Sequence, residues 1–232
     1  MYTFLKNSLL TSTVSLFLGS FVFSSPSQAA SVNFTNFFGD VTTSGGQTSL
    51  TNAFDSSDDA SGNYNVSGNT PGSADNLESF LGVTLGGNPQ EGSAVKTTLA
   101  ASAGDVFSFD WVFRTNEPVV FGNNDYAFVT IGSQVFNLAD ITNATIPGGT
   151  LGNNPNPYLR QTNNNTFSYT FNTAGTYNVG VGVVDVNDFV TSSGLSVRNA
   201  NTQPVPEPLT ILGSAIAAGF GVMLKRKQAK KV

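Results

Sequence analysis

The chain has 232 residues and a formal net charge of −5 at pH 7, and it contains neither cysteine nor histidine. Without these two residue types it cannot build a Ser-His-Asp triad, a thiol nucleophile or a common zinc site, and no disulfide can stabilise it. Residues 30–205 include 14 acidic and 4 basic residues, a balance that argues against nucleic acid and bare anionic polymers as partners. Carboxylate chemistry and the binding of hard cations such as calcium stay open.

The N-terminus has the parts of a secretory signal peptide. Lys6 supplies a positive charge, residues 8–23 carry no charge and are rich in Leu, Phe and Val, and small residues surround Ala29. We expect signal peptidase to remove residues 1–29 and the protein to be exported.

The central segment, residues 30–203, is patterned as β-strands almost throughout. Phe107, Phe109, Trp111 and Phe113 occupy every second position, which predicts a core strand with one aromatic face. Five further segments repeat the two-residue pattern between clusters of Gly, Asn, Asp and Pro, namely 125–131, 134–138, 166–171, 176–186 and 193–199.

Short strands of this kind, separated by turns, favour an all-β domain. Gly132 and Ser133 suit a two-residue hairpin turn, and residues 77–81 predict one helix of about two turns. We therefore predict one extracellular domain over residues 30–203, folded as an antiparallel jelly-roll-like β-sandwich.

Two segments of this domain are candidates for binding a ligand. Asp55, Asp58 and Asp59 lie in one acidic segment and offer the hard oxygen ligands that calcium prefers, although their spacing is not that of an EF-hand. A solvated acidic loop is the alternative for these three residues. Tyr158, in a loop rich in Asn and Pro, is a candidate for stacking against a ligand.

Four other residues are assigned from the strand pattern. Trp111 is expected in the core rather than as a platform for a sugar, because phenylalanines share its face. Arg114 lies on the opposite face of the same strand and is expected to be exposed. Asp185 and Asp188 flank the end of a Val-rich strand, where they either form a turn or ligate an ion.

The C-terminal segment, residues 204–232, combines three parts in a fixed order. They are the motif Val205, Pro206, Glu207 and Pro208, an apolar run over about residues 209–224, and a basic cluster that begins with Lys225, Arg226 and Lys227. A helix of 16 residues rises about 24 Å, so the apolar run predicts a short transmembrane helix with its basic end in the cytoplasm. The prolines keep the motif extended and accessible to an enzyme.

This tail resembles the PEP-CTERM sorting signal of Gram-negative bacteria that make extracellular polysaccharide. The resemblance implies that an exosortase, a membrane-bound processing enzyme, recognises the Pro-Glu-Pro motif and that the helix and basic tail are removed. The protein would then be held transiently in the membrane and end at the cell surface or in the extracellular matrix.

Three stretches of the central segment also resemble a known domain. Residues 91–117, 124–131 and 174–199 are similar to the extracellular domain common among cyanobacterial PEP-CTERM proteins. The resemblance implies a jelly-roll sandwich similar to carbohydrate-binding modules. An acidic residue is expected near the end of the last strand, and this chain has Arg198 there, so a metal site that uses that position is not expected.

Three functions are compatible with these features. The first is a non-enzymatic surface or matrix protein whose sandwich binds extracellular polysaccharide, and the second is a structural matrix subunit without a glycan ligand. The third is a carboxylate-based glycosidase, which needs two acids that flank a cleft. Position and composition favour the first two.

The sorting motif generates a prediction about processing. Protein recovered from the surface or medium of the native host should lack the residues beyond about Pro208, because exosortase removes them. Intact-mass measurement checks this, and recovery of a chain that still ends at Val232 would contradict the sorting signal.

Overall fold

The computed structural model describes residues 28–54, 63–119 and 122–205, together with Ile216 and Gly219. Ser27–Val205 is a compact unit. Its elements are β1 (Ala30–Ser31), β2 (Asn36–Phe38), β3 (Asp40–Ser44), β4 (Gln47–Thr51), β5 (Gly72–Ser73), α1 (Ala74–Leu81), β6 (Pro89–Ala101), β7 (Val106–Thr115), β8 (Tyr126–Ile131), β9 (Gln134–Asp140), β10 (Ile146–Pro147), β11 (Arg160–Gln161), β12 (Asn165–Thr170), β13 (Gly175–Val186) and β14 (Ser193–Gln203).

The strands form two antiparallel sheets. In sheet A the order is β10-β11-β7-β14-β4-β3, with β12 paired to the other half of β7 and β1 paired to β14. In sheet B the order is β2-β6-β13-β8-β9, with β5 paired to β6. The long strands form two sets, β4-β14-β7-β12 in sheet A and β6-β13-β8-β9 in sheet B. The chain passes back and forth between these two sets, and this is the connectivity of a jelly roll. The predicted antiparallel sandwich is confirmed.

The core lies between the sheets and is built on the aromatic face of β7. Phe107, Phe109 and Phe113 are at most 1% exposed and Trp111 is 8% exposed, so the prediction that Trp111 is a core residue is confirmed. Valines of β13 face them from sheet B and are fully buried. The six segments predicted as strands correspond to β7, β8, β9, β12, β13 and β14.

The predicted helix is α1, and it covers part of the outer face of sheet B. Leu77 and Leu81 are buried against Ala94 and Phe128 in a second apolar cluster. Gly82 ends the helix in the left-handed conformation, with φ 75°, and its N–H donates to the carbonyl of Glu78 at 2.7 Å. The uncovered rest of this outer face holds one of the clefts described below.

The strand pattern did not reveal the hairpin of β3 and β4. Gly45 and Gly46 connect these strands with φ 58° and 78°, the conformation that a tight two-residue hairpin turn requires. Ser44 pairs with Gln47 across this turn. The hairpin forms the edge of sheet A.

The prediction of a single C-terminal transmembrane helix is contradicted. Within the parts of the chain that the structure describes, no helix is long and apolar enough to cross a membrane. α1, with 8 residues, rises about 12 Å, far less than a bilayer requires. Of the predicted span 209–224, Ile216 and Gly219 are described, both as helical, and its other residues lie outside the described ranges.

The core packing generates a prediction for Trp111→Ala. Removing this buried indole should lower the free energy of unfolding by about 3–5 kcal/mol, because the aromatic face of β7 loses contacts and leaves a cavity. Urea unfolding of the purified protein measures the change. Phe37→Ala is the matched control, since Phe37 is 53% exposed and its truncation should have little effect. Equal stability of the Trp111 variant and the unchanged protein would contradict the buried placement.

Candidate functional site

Few of the residues predicted to form sites lie in the described ranges. Val205 is 50% exposed, and its N–H donates to Asp105 Oδ1 at 3.2 Å. The other residues predicted for the acidic segment and for the C-terminal segment lie outside the described residues. They are Asp55, Asp58, Asp59, Pro206, Glu207, Pro208, Lys225, Arg226 and Lys227. Calcium binding by the acidic segment and processing of the motif therefore stay predictions.

Tyr158 is buried and does not lie at a surface where it could stack against a ligand. Its side chain is 2% exposed, and its ring packs against Tyr64 with 4.7 Å between the centroids. Both rings belong to a small apolar cluster with Ala53 and Leu151. The rings thus cover part of the outer face of sheet A instead of presenting a surface to solvent.

Arg114 lies under this cover, which corrects the prediction that it is exposed. Its side chain is 7% exposed, and Nη1 donates to Ser196 Oγ at 2.9 Å. Gly194, the cross-strand partner of Arg114, has Leu151 and the Tyr158 hydroxyl directly above it. Burial lowers the pKa of Arg114 to about 10.

Four buried carboxyl groups lie at one end of the sandwich interior. We call Glu91, Glu117, Asp125 and Asp185 the carboxylate cluster; they are 7%, 2%, 1% and 2% exposed. Asp185 pairs across the sheet with Glu91, two positions beyond the core residue Val183. The inner face of sheet B thus changes from valine to carboxyl at this end.

Hydrogen bonds hold Asp125 between the two sheets. Asn52 Nδ2 donates to Asp125 Oδ2 at 2.9 Å, and the N–H of Val186 donates to Asp125 Oδ1 at 3.0 Å. Asn52 Oδ1 in turn accepts the N–H of Ser193 at 2.6 Å. Asp185 differs, because its Oδ1 is buried and has no hydrogen-bond partner in the described part of the protein.

The cluster binds protons more tightly than ordinary carboxyl groups. Burial raises the pKa of Asp125 to about 7, and repulsion from Glu117 adds to the effect. Burial also raises the pKa of Asp185 to about 10, with further repulsion from Asp125, Asp188, Glu91 and Glu117. Among the described residues, no group of three or more acidic side chains is arranged to hold a metal ion. Asp125 and Asp185 thus hold their protons at pH values at which an ordinary carboxyl group has lost its own.

An open cleft lies on the outer face of sheet B, on β8 and β9. Its volume is about 480 Å³, and we call it the Tyr126 cleft. Its apolar lining comes from Tyr126, Phe128 and Val135, and its polar and glycine lining comes from Asn124, Asn137, Asn187, Gly86, Gly87 and Gly122. Two aromatic rings on one face of β8 thus stand beside three side-chain amides.

Tyr126 is held in place within this cleft. Its hydroxyl donates to the carbonyl of Gly86 at 2.6 Å, and its ring centroid lies 6.0 Å from that of Phe128. Burial raises its pKa to about 12, with a contribution from Glu78, so the phenol stays neutral at physiological pH. Asn88 Nδ2 donates to Asn187 Oδ1 at 2.7 Å, which joins the loops at the rim.

The outer face of sheet A carries a polar row that crosses four strands. Gln47, Arg198, Asp110 and Thr166 are successive cross-strand neighbours. Arg198 Nε donates to Gln47 Oε1 at 2.6 Å. Asp110 accepts hydrogen bonds from Thr166 at 2.6 Å and from Asn199 at 2.8 Å, and these bonds lower its pKa.

Comparison with known proteins identifies no family. No protein-family model matches this chain, and no curated protein matches it. One solved structure similar to it is that of the carbohydrate-binding module TmCBM61 in complex with β-1,4-galactotriose, with 10% sequence identity and a TM-score of 0.28. The match covers 51% of this chain and 66% of that one, just under two thirds of its length. Likeness at this level carries no functional assignment.

The sequence contained a signal for the Tyr126 cleft that strand prediction alone did not use. Tyr126 and Phe128 alternate along β8 with Ala127 and Val129, so one face of the strand is aromatic. Which of the two faces is open depends on where α1 and the loops lie. That information is absent from the local pattern.

The carboxylate cluster generates a prediction about pH. A carboxyl whose pKa is raised on folding binds more protons in the folded than in the unfolded state, so stability falls as pH rises above about 4. The fall should continue through pH 7, where Asp125 loses its proton, towards pH 10 for Asp185. Each proton accounts for at most about 1.4 kcal/mol per pH unit.

Asp185→Asn should therefore be more stable than the unchanged protein at pH 9 and should show a weaker loss of stability between pH 5 and pH 9. Urea unfolding in the presence of a chelator measures both effects. Asp110→Asn is the control, because Asp110 lies partly exposed on the outer face of sheet A and its pKa is lowered, so this range should hardly affect it. An unchanged pH dependence in the Asp185 variant would contradict the cluster's proton binding.

Proposed function

We propose that this β-sandwich is a non-catalytic carbohydrate-binding domain of an exported surface or matrix protein, and that the Tyr126 cleft binds the sugar. The observation that carries the proposal is the combination of an aromatic ring with converging amides in one open cleft. The rest of the proposal depends on what these groups can do for a saccharide.

A sugar ring presents two kinds of surface to a protein. Its C–H face packs on an aromatic ring, and its hydroxyls require donors and acceptors when they leave water. Tyr126 supplies the aromatic surface, because Phe128 is fully buried, and the amides of Asn124, Asn137 and Asn187 supply donors and acceptors. The volume, about 480 Å³, lies in the range of roughly 300–1,000 Å³ typical of small-ligand sites.

Fixed geometry favours binding at this cleft. Tyr126 is anchored by its bond to Gly86, and Phe128 is fully buried. Ordered side chains on a sheet lose little conformational entropy when a ligand arrives. The glycines of the lining leave backbone N–H and carbonyl groups within reach of a ligand.

The lining also supports a role without catalysis. A carboxylate-based glycosidase requires two acids that flank the bound sugar. No Asp or Glu of the described part of the chain lines the Tyr126 cleft. The carboxylate cluster lies in the interior, where its groups are at most 7% exposed, so a saccharide has no access to them.

Export and processing enter the proposal from the sequence. The signal peptide pattern and the Pro-Glu-Pro motif support signal peptidase and an exosortase-like enzyme as processing partners. Extracellular polysaccharide is then the glycan that the domain meets. Calcium bound by Asp55, Asp58 and Asp59 stays a proposed cofactor.

A glycan array of the purified protein, with and without calcium, tests the proposal. We expect discrete binding to neutral oligosaccharides, weakened about tenfold or more in Tyr126→Ala, which corresponds to about 1.4 kcal/mol per tenfold. Tyr126→Phe keeps the ring and should bind more strongly than Tyr126→Ala. Thermal melts of both variants control for misfolding.

No binding on the array, together with ordered self-association of the protein, would contradict the proposal. That outcome would support the second function, a structural matrix subunit without a glycan ligand.

A further inference from the structure

We propose that the groove around Arg198, on the outer face of sheet A, binds the carboxylate of an acidic sugar, so that the protein recognises a uronate-containing polysaccharide. The inference rests on the proposed function in that the ligand is a saccharide. The saccharide is further specified as acidic, and its site lies on a different face of the sandwich from the Tyr126 cleft.

Arg198 is the basic residue of this domain that is available to a ligand. Residues 30–205 contain four basic residues. The other three, Lys96, Arg114 and Arg160, each donate to a backbone carbonyl within the fold. Arg198 instead donates to the side chain of Gln47 and lies on the surface.

The hydrogen bond to Gln47 orients the guanidinium. It occupies Nε at 2.6 Å and leaves the two terminal nitrogens, Nη1 and Nη2, for a ligand. Two parallel N–H groups of an arginine match the two oxygens of a carboxylate. An oriented arginine loses less freedom when it forms this pair than a mobile lysine would.

A bulge in β14 lies directly beside Arg198. The register of β14 against β7 shifts between Arg198 and Asn201, and Asn199 has φ 54°. Bulges bend a strand and re-aim its side chains, and they are common beside binding sites. Asn199 and Thr166 also occupy both oxygens of Asp110, the cross-strand neighbour of Arg198. Asp110 is thereby held by neutral donors.

Two grooves meet at Arg198, and the lining of one of them selects the ligand class. One, of about 360 Å³, is lined by Thr42, Ser44, Gly45, Gln47, Ser49, Gly152, Asn153 and Arg198. The other, of about 220 Å³, lies on the inner side of the β3–β4 hairpin and is not part of the proposed site, because Val197 is a core residue and Thr48 is its cross-strand partner. It is lined by Val32, Asn33, Phe34, Thr43, Gly46, Thr48, Val197, Arg198 and Ala200.

Among the described residues, neither lining includes an acidic side chain, and Arg198 is the one charged residue that lines these grooves. An anion therefore meets a local positive charge there, although acids outnumber bases by 14 to 4 between residues 30 and 205. Hydroxyls and amides surround it and can bond the hydroxyls of a sugar. A β-carbon added at Gly45 or Gly46 would meet no atom within 4 Å, so the turn leaves room beside the arginine.

The combination of one fixed guanidinium with many hydroxyls and amides fits a uronic acid better than a neutral sugar. Asp110 interacts electrostatically with Arg198, but its two oxygens accept hydrogen bonds from Thr166 and Asn199, so a ligand carboxylate would pair directly with the terminal nitrogens and a neutral sugar would not. A sulfate ester could also pair with Arg198, so the experiment must separate the two anions.

Titration calorimetry of the purified protein with trigalacturonate, at about 0.1 M ionic strength, tests the inference, since the Debye length of about 10 Å screens the repulsion between the acidic domain and the ligand more than the direct contact with Arg198. We expect trigalacturonate to bind. Its methyl ester lacks the charge and should bind with an affinity at least about tenfold lower. Arg198→Gln should cause a similar loss. Arg198→Lys should recover part of the affinity, because it keeps the charge and loses the fork.

Phe37→Ala is the control and should leave trigalacturonate binding unchanged, because Phe37 is an exposed residue of sheet B that lines neither the groove at Arg198 nor the Tyr126 cleft. Equal binding of the acid and its ester, or unchanged binding by Arg198→Gln, would overturn the inference. Binding of a sulfated oligosaccharide in preference to trigalacturonate would overturn the assignment to a carboxylate.

The two proposals fail separately. Arg198-dependent binding of trigalacturonate, without binding of neutral sugars, would refute the role of the Tyr126 cleft alone. Tyr126-dependent binding of neutral sugars, without binding of trigalacturonate, would refute the role of Arg198 alone.

Discussion

The alternation of side chains along β7 and β14, the paired central strands of sheet A, is the constraint on which the rest of the structure depends. On the inner face this alternation places Phe113 against Leu195 and builds the core. On the outer face the same register places Asp110 beside Arg198. Because the period is two, a shift of one residue in this pairing would bury the polar row and expose the aromatic face. Core stability and the composition of the groove are therefore set by one register.

The interior of the sandwich is not apolar along its whole length. Valines of β13 fill its centre, and Asp185 continues their face at one end, opposite Glu91. Protonation allows Asp125 and Asp185 to lie there, since a proton removes the cost of burying the charge. Hydrogen bonds from Asn52 and Val186 orient Asp125 and connect the sheets at this end. The carboxylate cluster thus lowers stability at high pH, while the hydrogen bonds of Asp125 connect the two sheets.

The two candidate binding sites lie on opposite outer faces, one on each sheet. The Tyr126 cleft offers aromatic surface and amides, whereas the groove at Arg198 offers one cation among hydroxyls. A polymer that combines neutral and acidic sugars could meet both chemistries on one domain. Two weak sites on opposite faces would allow the domain to link separate polysaccharide chains, because one chain need not reach both sites.

The sequence by itself determined six strands (β7, β8, β9, β12, β13 and β14), the aromatic core face of β7, the short helix and the all-β class, because each follows from a local period of two or of 3.6 residues. It did not determine which outer faces are covered. Tyr158 belongs to a polar loop and was expected at a binding surface, yet it packs on Tyr64 and encloses Arg114. The burial of Asp185 could not be predicted either, because the sequence pattern at the end of a strand is the same whether that end lies in solvent or between the sheets. Burial of these residues depends on contacts between segments far apart in the chain, and only the tertiary structure decides those contacts.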